Sequence, residues 1–288
     1  MRRLLALLLT AGLVGLASAQ KASAPAPTPI PTAEAVNAFM KRMFGYDPAV
    51  TWQVLEIKSS TIPNVAEIVV RVGNQPTATR LFVTPDGRNA IIGEAVPFGA
   101  DPFAGTRSQL AQRAKGRSRG PANAPVTIVA FEDLQCPSCR QAHPILEKLL
   151  TESPNTRFVF QHFPLTSIHK WAFRAATVSE CVAGESDEAF WKFVDTVFEH
   201  QTEITETNAD QKLAAYAVAS GADAASLQTC SARPEVAARV VASVDLGYSL
   251  GVSATPTVFI NGRKITQLGA IPYEKLKALV QFEATGGK

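Results

Sequence analysis

Two cysteines separated by two residues, in the tetrapeptide Cys136-Pro137-Ser138-Cys139, follow directly after the apolar run 126–131. A short apolar run that ends just before a proline at a helix start predicts a buried strand followed by a helix. Two thiols on the first turn of that helix can close a disulfide, and the first can also attack a disulfide of another molecule. The motif therefore requires a strand-to-helix junction and predicts thiol chemistry.

From residue 125 onward, strand-like and helical patterns alternate along the chain. The predicted elements are a strand at 126–134, a helix at 137–151, a strand at 157–163, several helices within 167–250 of which 187–199 is the clearest, strands at 257–260 and 263–267, and a helix at 272–283. Asn261-Gly262 between the last two strands is a strong hairpin signal. The pattern predicts an α/β domain at 125–288, with helices on both faces of a sheet and a helical insertion at about 167–250.

The preceding part of the chain has a different pattern, which predicts a small α+β domain at 32–114. Its predicted elements are a helix at 33–45 capped by Thr32, strands at 51–58, 66–73, 78–84 and 89–96, and a helix at 104–114. The segment 115–124 mixes basic residues with serine, glycine and proline, and we interpret it as a solvated linker between the two domains.

The beginning of the chain has the features of an export signal. Arg2 and Arg3 precede a leucine-rich stretch and the small residues 17–19, which predicts a signal peptide at 1–19. A tether rich in proline and alanine follows at 20–31. We therefore expect a periplasmic or otherwise exported protein that is soluble after cleavage and lies where disulfides persist.

The overall charge argues against nucleic acid as a partner. The formal net charge is +3, and it falls to about +1 once Arg2 and Arg3 are removed with the signal peptide. This charge argues against a general electrostatic attraction to phosphate.

The position of the dithiol predicts different roles for its two cysteines. A helix N-terminus favours negative charge and lowers a thiol pKa, so Cys136 is the expected nucleophile. Pro137 suits the first helical turn, and Ser138 adds a hydroxyl without a charge. Cys139, one turn further in, is expected to be buried and protonated and to release the client by attacking the mixed disulfide.

The dithiol has two other possible interpretations. A structural zinc site needs a second cysteine pair or a spaced histidine pair, and the chain has neither, so no metal or cofactor is expected. An inert disulfide between Cys136 and Cys139 would close a very small loop and would stabilise the fold little. Redox exchange is therefore the favoured interpretation.

The segment APVTIVAFEDLQCPSC and the downstream run GVSATPTVFINGR resemble the DsbA-like branch of the thioredoxin superfamily, over roughly residues 120–285. The resemblance implies a thioredoxin-like fold in which Pro256 is cis and packs beside the dithiol. Thr255 would then present main-chain groups to an extended client peptide next to Cys136.

The sequence departs from this family at the position of the usual buried acid, six residues before the first cysteine, where it has Ala130. Glu132 lies two residues further along the same face of the strand, so it could replace that acid as the proton acceptor for Cys139. The alternative is a carboxylate at the solvent-facing rim.

The remaining cysteines and histidines are given more ordinary roles. Cys181 and Cys230 both lie in the insertion, and in an exported protein we expect a structural disulfide, with two buried free thiols as the alternative. His143, one turn beyond Cys139, could tune the site or serve as a surface group. None of the histidines is assigned to catalysis.

Taken with the resemblance, these residues predict an exported thiol:disulfide oxidoreductase that passes its disulfide to reduced or misoxidised exported proteins, most readily as an oxidant. Its redox partner would be a membrane-bound thiol oxidase or reductase. The run RLFVTPDGRNAIIG is weakly similar to the dimerisation module of DsbC-like isomerases. A dimeric isomerase or reductase is therefore the alternative, and a chaperone or metal carrier without turnover is a third possibility.

Overall fold

The computed structural model describes residues 30–60, 62–73, 78–92 and 94–287. The predicted signal peptide, 1–19, and residues 20–29 of the predicted tether lie outside these ranges. Within them, no helix has both the length and the apolar character needed to cross a membrane. The described residues form two five-stranded sheets.

The first sheet and one helix form the N-terminal domain. Its elements are helix α1 (Ala33–Phe44) and strands β1 (Trp52–Ser59), β2 (Ala66–Val72), β3 (Thr79–Val83), β4 (Asn89–Ile92) and β5 (Glu94–Pro97). The sheet is antiparallel, in the order β1-β2-β3-β4-β5. The Ala35 amide donates to Thr32 Oγ1 at 3.2 Å, so Thr32 caps α1. Phe39 and Met40 bury the apolar side of the helix on the sheet.

The single strand predicted at 89–96 is wrong, because this segment forms two strands. Asn89 pairs with Pro97, and Ile92 pairs with Glu94, in antiparallel register. Strand β5 therefore runs in the direction opposite to β4. The alternating apolar pattern continues through the reversal, so periodicity alone could not reveal it.

The second sheet and eight helices of the described residues form the larger domain. Its elements are α2 (Ala104–Arg113), β6 (Ser118–Arg119), β7 (Val126–Glu132), α3 (Pro137–Glu152), β8 (Thr156–His162), α4 (Ala172–Glu185), α5 (Asp187–Glu199), α6 (Ala209–Ala219), α7 (Ala224–Ser231), α8 (Pro234–Ser249), β9 (Thr257–Ile260), β10 (Arg263–Thr266) and α9 (Tyr273–Ala284). The strand order is β10-β9-β7-β8-β6. Strands β7 and β8 are parallel, and the other neighbours are antiparallel.

Helices cover both faces of this sheet, as the alternation of strand and helix predicts. Ile128 and Ala130 of β7 pack in one cluster with α3, α9 and the inserted helices α4 to α6. Val129 and Phe131, on the opposite face, pack with α2 and the end of α8. Because side chains alternate along a strand, Glu132 lies on the α3 side.

The predicted boundary after residue 114 is misplaced. Leu110 of α2 packs with Val129 and Phe131, so the helix belongs to the second domain and covers one face of its sheet. The segment 115–124 is also more than a linker, because Ser118 and Arg119 form the edge strand β6 and pair with β8. Both corrections have the same cause. The helix that covers the sheet and the strand at its edge are recognised by the residues they contact, and no long local pattern in the sequence reveals those contacts.

A buried group of charges joins the two domains. Arg42 at the end of α1 donates through Nη1 and Nη2 to Glu283 of α9, and the Nη1 bond measures 2.7 Å. Arg263 of β10 donates to the Met43 carbonyl at 2.7 Å and to the Arg42 carbonyl, and lies 3.5 Å from Glu283 Oε1. The Glu283 side chain is fully buried. The N-terminal domain is therefore joined to the larger domain by a buried charged contact.

The inserted helices carry the second cysteine pair. Cys181 of α4 and Cys230 of α7 form a disulfide, with their Cα atoms 5.8 Å apart. Cys136 and Cys139 are free thiols. Helix α5 begins at Asp187, where Ser186 Oγ accepts from the Ala189 amide at 3.3 Å.

Candidate active site

The dithiol lies where β7 passes into α3. Cys136 precedes the helix with an extended backbone, and Pro137 occupies the first helical position. Cys136 is 6% exposed and Cys139 is completely buried. A small part of Cys136 is therefore accessible to an approaching molecule, whereas Cys139 is not.

The surroundings of Cys136 favour its thiolate. Its pKa is lowered to about 5, chiefly because the Cys139 thiol donates a hydrogen bond to it, and partial burial opposes this effect. Thr255 and the amides of Ser138 and Cys139 also lower it. Such a pKa leaves Cys136 ionised at neutral pH, which is the reactive form in disulfide exchange.

The surroundings of Cys139, by contrast, favour its protonated thiol. Burial raises its pKa well above the usual value, and the neighbouring Cys136 and Glu132 act in the same direction. The Asp133 amide donates to Cys139 Sγ at 3.4 Å and offsets part of this effect. Cys139 therefore stays protonated while Cys136 is a thiolate, so any reaction at Cys139 must move a proton.

The structure brings the predicted Thr255-Pro256 pair to the dithiol. The peptide bond between them is cis, and the Thr255 carbonyl oxygen lies 3.4 Å from Cys136 Sγ. Ser138 lines one side of a groove of about 330 Å³ beside this pair. The other lining residues are Ser253, Ala254, Thr255, Pro256, Thr257, Lys264, Thr266 and Gln267. An extended peptide in this groove would pass next to Cys136.

Glu132 is buried beneath the dithiol. It is 1% exposed, and neither carboxylate oxygen has a hydrogen-bond partner among the described residues. Burial raises its pKa to about 7, which the neighbouring His143 partly offsets. A carboxylate at the solvent-facing rim, the alternative drawn from the sequence, does not agree with this burial. Ala130, at the usual position of the acid, is also buried on the same face.

Asp133 supports the active-site loop and was not identified from the sequence. Its carboxylate accepts from the Gln135 and Leu165 amides, each at 2.8 Å. His169 Nδ1 lies 2.6 Å from the same side chain. An aspartate that bonds the amide two residues on is a common turn signal, which could have revealed the first of these contacts.

Gln201 also supports the active-site loop, and no pattern in the sequence around it predicts this role. Its side-chain amide donates to the Leu134 carbonyl at 2.8 Å and to the Cys136 carbonyl at 3.1 Å. It comes from the short 3₁₀ helix after α5. The helical insertion thus holds the loop that carries the nucleophile, a contact that depends on tertiary packing.

One cluster of side chains has the donor atoms of a metal site. Potential ligand atoms of His143, Glu147 and Asp195 lie within 4.8 Å of one another. Asp195 is paired with His143 at 2.7 Å, and Glu147 is paired with Arg119. Each carboxylate already has a basic partner, and we assign no metal to the cluster.

Comparison with known proteins places the larger domain in a family. The family model described as Thioredoxin matches residues 112–281. The chain belongs to the thioredoxin family. The match begins within α2, in agreement with its packing on the second sheet, and the predicted thioredoxin-like fold is confirmed.

Related proteins cover this thioredoxin domain. Disulfide bond formation protein D of Bacillus subtilis is 26% identical over 202 residues, covering 65% of this chain and 84% of that protein. The crystal structure of oxidised BdbD from the same organism has a TM-score of 0.54 and 26% identity, and the match covers 62% of this chain and 95% of that one. The resemblance to DsbA-like oxidoreductases is therefore confirmed.

Two further proteins match part of this chain. Wolbachia pipientis alpha-DsbA1 has the same fold, with a TM-score of 0.53, 20% identity and coverage of 60% of this chain and 92% of that one. The Na(+)/H(+) antiporter NhaA 1 of Salinispora arenicola is 37% identical over 168 residues, which cover 58% of this chain but 24% of the antiporter. The chain thus matches about a quarter of the length of such antiporters. The predicted similarity of the N-terminal domain to a DsbC-type module stays a prediction.

Proposed function

We propose that this protein is an exported thiol:disulfide oxidoreductase that passes the Cys136–Cys139 disulfide to reduced client proteins. The observation that carries the proposal is the contrast between the two sulfurs, because Cys136 has a pKa of about 5 while that of Cys139 is raised. A stable Cys136 thiolate favours the reduced enzyme, and a couple whose reduced form is stabilised is a stronger oxidant.

The reaction would proceed in two exchanges. A client thiolate attacks Cys136 Sγ, the disulfide breaks, and Cys139 leaves and takes up a proton. A second client thiolate then attacks the client sulfur bound to Cys136, which forms the client disulfide and releases the Cys136 thiolate. Two electrons pass from client to enzyme, and a membrane-bound thiol oxidase would remove them to complete the cycle.

The groove beside Thr255 supports a peptide as the substrate. Its lining is dominated by hydroxyl-bearing and small side chains, together with main chain near Thr255 and Pro256. Main-chain hydrogen bonds to an extended strand give affinity without demanding a particular sequence. Ser138 and the cis pair would therefore position many different reduced or misoxidised exported proteins.

The reduction potential tests the direction of exchange. A pKa of about 5 lies between those of thioredoxin and DsbA, so we expect a potential between about −270 and −120 mV. Equilibration with glutathione buffers, alkylation and mass spectrometry would measure it, with oxidative refolding of reduced ribonuclease as the activity. Cys136→Ser should abolish refolding, and Cys139→Ser should accumulate a mixed disulfide. A potential below that of thioredoxin would identify a reductase instead.

A dimeric isomerase or reductase is the second candidate, and one feature of the N-terminal domain favours it. Strand β1 lies at the edge of its sheet and spans eight residues, and Leu55 on it is 40% exposed. Within the described part of the chain no other strand pairs with the outer edge of β1, and such an edge can pair with a second copy. Light scattering on the mature protein checks this, because a monomer at micromolar concentration would remove the argument. A protein that binds its clients but exchanges no disulfide with them would instead be a chaperone.

A further inference from the structure

Cys139 has to leave as a thiolate at a buried position. When a thiolate attacks Cys136 Sγ, the disulfide breaks and its electron pair stays on Cys139 Sγ. Cys139 is completely buried, and a buried charge without a hydrogen bond is costly in free energy. Cys136 is then bonded to the incoming sulfur and has no thiol hydrogen to donate. The charge that develops on Cys139 therefore needs a donor from another residue.

The main-chain amide of Asp133 is placed to be that donor. It donates to Cys139 Sγ at 3.4 Å, and among the described residues it is the one group that donates a hydrogen bond to this sulfur. The Asp133 carbonyl accepts from the Cys136 amide at 2.9 Å, so one residue contacts both halves of the dithiol. A donor that is fixed in advance on the atom where charge develops lowers the barrier, because it does not have to reorganise.

The side chain of Asp133 holds the residue in this position. It is fully buried, and its carboxylate has three partners. The Gln135 and Leu165 amides donate to it, each at 2.8 Å, and His169 Nδ1 lies 2.6 Å from it. Because a carboxylate only accepts, Nδ1 carries the proton in this contact. Two of the three donors come from the segment after β8, so the carboxylate joins the dithiol loop to a second part of the fold.

That second segment is itself held in place. The His169 amide donates to the Leu165 carbonyl at 2.9 Å, so the two residues that bind the carboxylate lie on one turn. The Trp171 amide donates to Gln135 Oε1 at 2.7 Å, which joins the two segments a second time. The His169 side chain is 15% exposed. It is therefore the member of this group that can be replaced with the least disturbance of the core.

We propose that Asp133 and His169 are positioning residues that hold the Asp133 amide on Cys139 Sγ, so that this sulfur can leave and return as a thiolate. The inference rests on the exchange reaction proposed above. In the opening step the incoming thiolate bonds to Cys136 Sγ, the Cys136–Cys139 bond breaks, and the amide stabilises the Cys139 thiolate until it takes up a proton from water. Closing is the reverse. The carboxylate and the imidazole do not touch the reacting sulfurs.

Opening and closing pass through the same transition state, in which Cys139 carries part of a negative charge. Before opening Cys139 is part of a neutral disulfide, and afterwards it is a neutral thiol. A bond that is strongest to the charged sulfur therefore lowers the barrier in both directions and leaves the equilibrium between the two states nearly unchanged. This signature distinguishes positioning from a stabilisation of one redox state.

The test uses glutathione as the partner of the oxidised enzyme. The rate of mixed-disulfide formation, measured by acid quench, alkylation and mass spectrometry, is plotted against the concentration of reduced glutathione. Its slope gives the opening rate constant and its intercept the closing rate constant. His169→Ala removes the donor to the carboxylate. We expect both constants to fall by about tenfold and their ratio to change by less than about twofold.

A conservative variant separates the hydrogen bond from packing. His169→Asn places an amide nitrogen close to the position of Nδ1 and should recover most of both rates. Asp133→Asn keeps an oxygen for the Gln135 amide but replaces the oxygen that accepts from Leu165 and His169. It should therefore be as slow as His169→Ala, and it serves as the second test if His169→Ala folds poorly.

Asp86→Asn is the matched control. Asp86 lies in the N-terminal domain and accepts from the amide two residues on, that of Arg88, at 3.0 Å, as Asp133 does from Gln135. This change should leave both rates unchanged. Wild-type rates in both His169→Ala and Asp133→Asn would overturn the inference. It would also fail if His169→Asn were as slow as His169→Ala, or if the ratio of the rate constants changed while one of them stayed constant.

The choice of glutathione distinguishes this inference from the proposed function. A wild-type enzyme that exchanges with glutathione but not with protein clients would contradict the client role and still report on the positioning of the amide. A wild-type enzyme that forms no mixed disulfide at all would contradict both.

Discussion

Arg42 and Glu283 form a buried ion pair that crosses from the N-terminal domain to the last helix of the thioredoxin domain. Arg263 lies against the same carboxylate, so one acid serves two guanidinium groups. Burial lowers the pKa of Arg263 to about 10, and Glu283 limits that fall. The carboxylate is thus the group on which the charge balance of the interface depends.

Glu283→Gln should destabilise the protein, because it leaves two buried arginines without a counter-charge. Breaking a buried pair in this way costs about 3–5 kcal/mol. Urea unfolding followed by circular dichroism measures the change. Glu274→Gln, an exposed position on the same helix, is the matched control and should change the stability little. Equal stabilities for the two variants would contradict a structural role of the pair.

The reduced enzyme should show one thiol that ionises near pH 5. Alkylation of Cys136 by iodoacetamide should rise through a pKa of about 5, while Cys139 stays unreactive because burial raises its pKa. Cys139→Ala removes the strongest hydrogen bond to the thiolate and should raise the pKa of Cys136. Cys139→Ser keeps a donor and should raise it less. An unchanged pKa in the alanine variant would exclude that hydrogen bond as the cause.

The same pKa predicts how the reduction potential depends on pH. Above about pH 5, reduction takes up two electrons and one proton, so the potential should fall by about 30 mV per pH unit. Below that pH both sulfurs are protonated, and the slope should be about twice as steep. Redox titration against glutathione from pH 4 to 8 measures both slopes. A uniform steep slope would show that Cys136 stays protonated.

Glu132→Gln should slow the resolution of the mixed disulfide and make the folded protein more stable. The folded-state pKa of Glu132 is raised to about 7 from an unfolded value of 4.5, so its ionisation costs stability as the pH rises between these values. At pH 8 the glutamine variant should gain up to about 3 kcal/mol, and at pH 4 the difference should vanish. Urea unfolding at both pH values, beside the exposed control Glu206→Gln, measures this, and rapid-quench assays should show slower resolution of the mixed disulfide. A stability difference that does not change with pH would contradict the assignment.

The Cys181–Cys230 disulfide should survive conditions that reduce the dithiol. Cys181 is buried and Cys230 is half-buried, so mass spectrometry after mild reduction should find only Cys136 and Cys139 reduced. Replacing both Cys181 and Cys230 by alanine opens a link that spans 49 positions and should cost up to about 4 kcal/mol. Unchanged activity in the double variant at low temperature would show that this disulfide takes no part in the exchange reaction.

Features with a strong local pattern were predictable from the sequence. The dithiol at a helix start and the turn at Asn261-Gly262 each need only a few adjacent residues, and both stand where the patterns put them. The position of Pro256 beside Cys136 was not predictable from spacing. It was predicted from the resemblance to the DsbA-like family.

Features that depend on packing were not predictable. Helix α2 covers the second sheet through Leu110, and strand β6 has two residues, which is too short for any periodic signal. The burial of Glu132 could not be decided from the sequence, because it depends on which helix covers that end of β7. The contacts of Asp133 with Leu165 and His169, and those of Gln201, join segments far apart in the chain and also depend on packing.

The charged contact between the domains lies close to the active site along the strands. Arg263 is the first residue of β10, which pairs with β9, and β9 begins directly after Pro256. The guanidinium group that holds the end of α1 is therefore one strand pair away from the carbonyl beside Cys136, so a substitution at the domain contact has a short path of bonds to the dithiol.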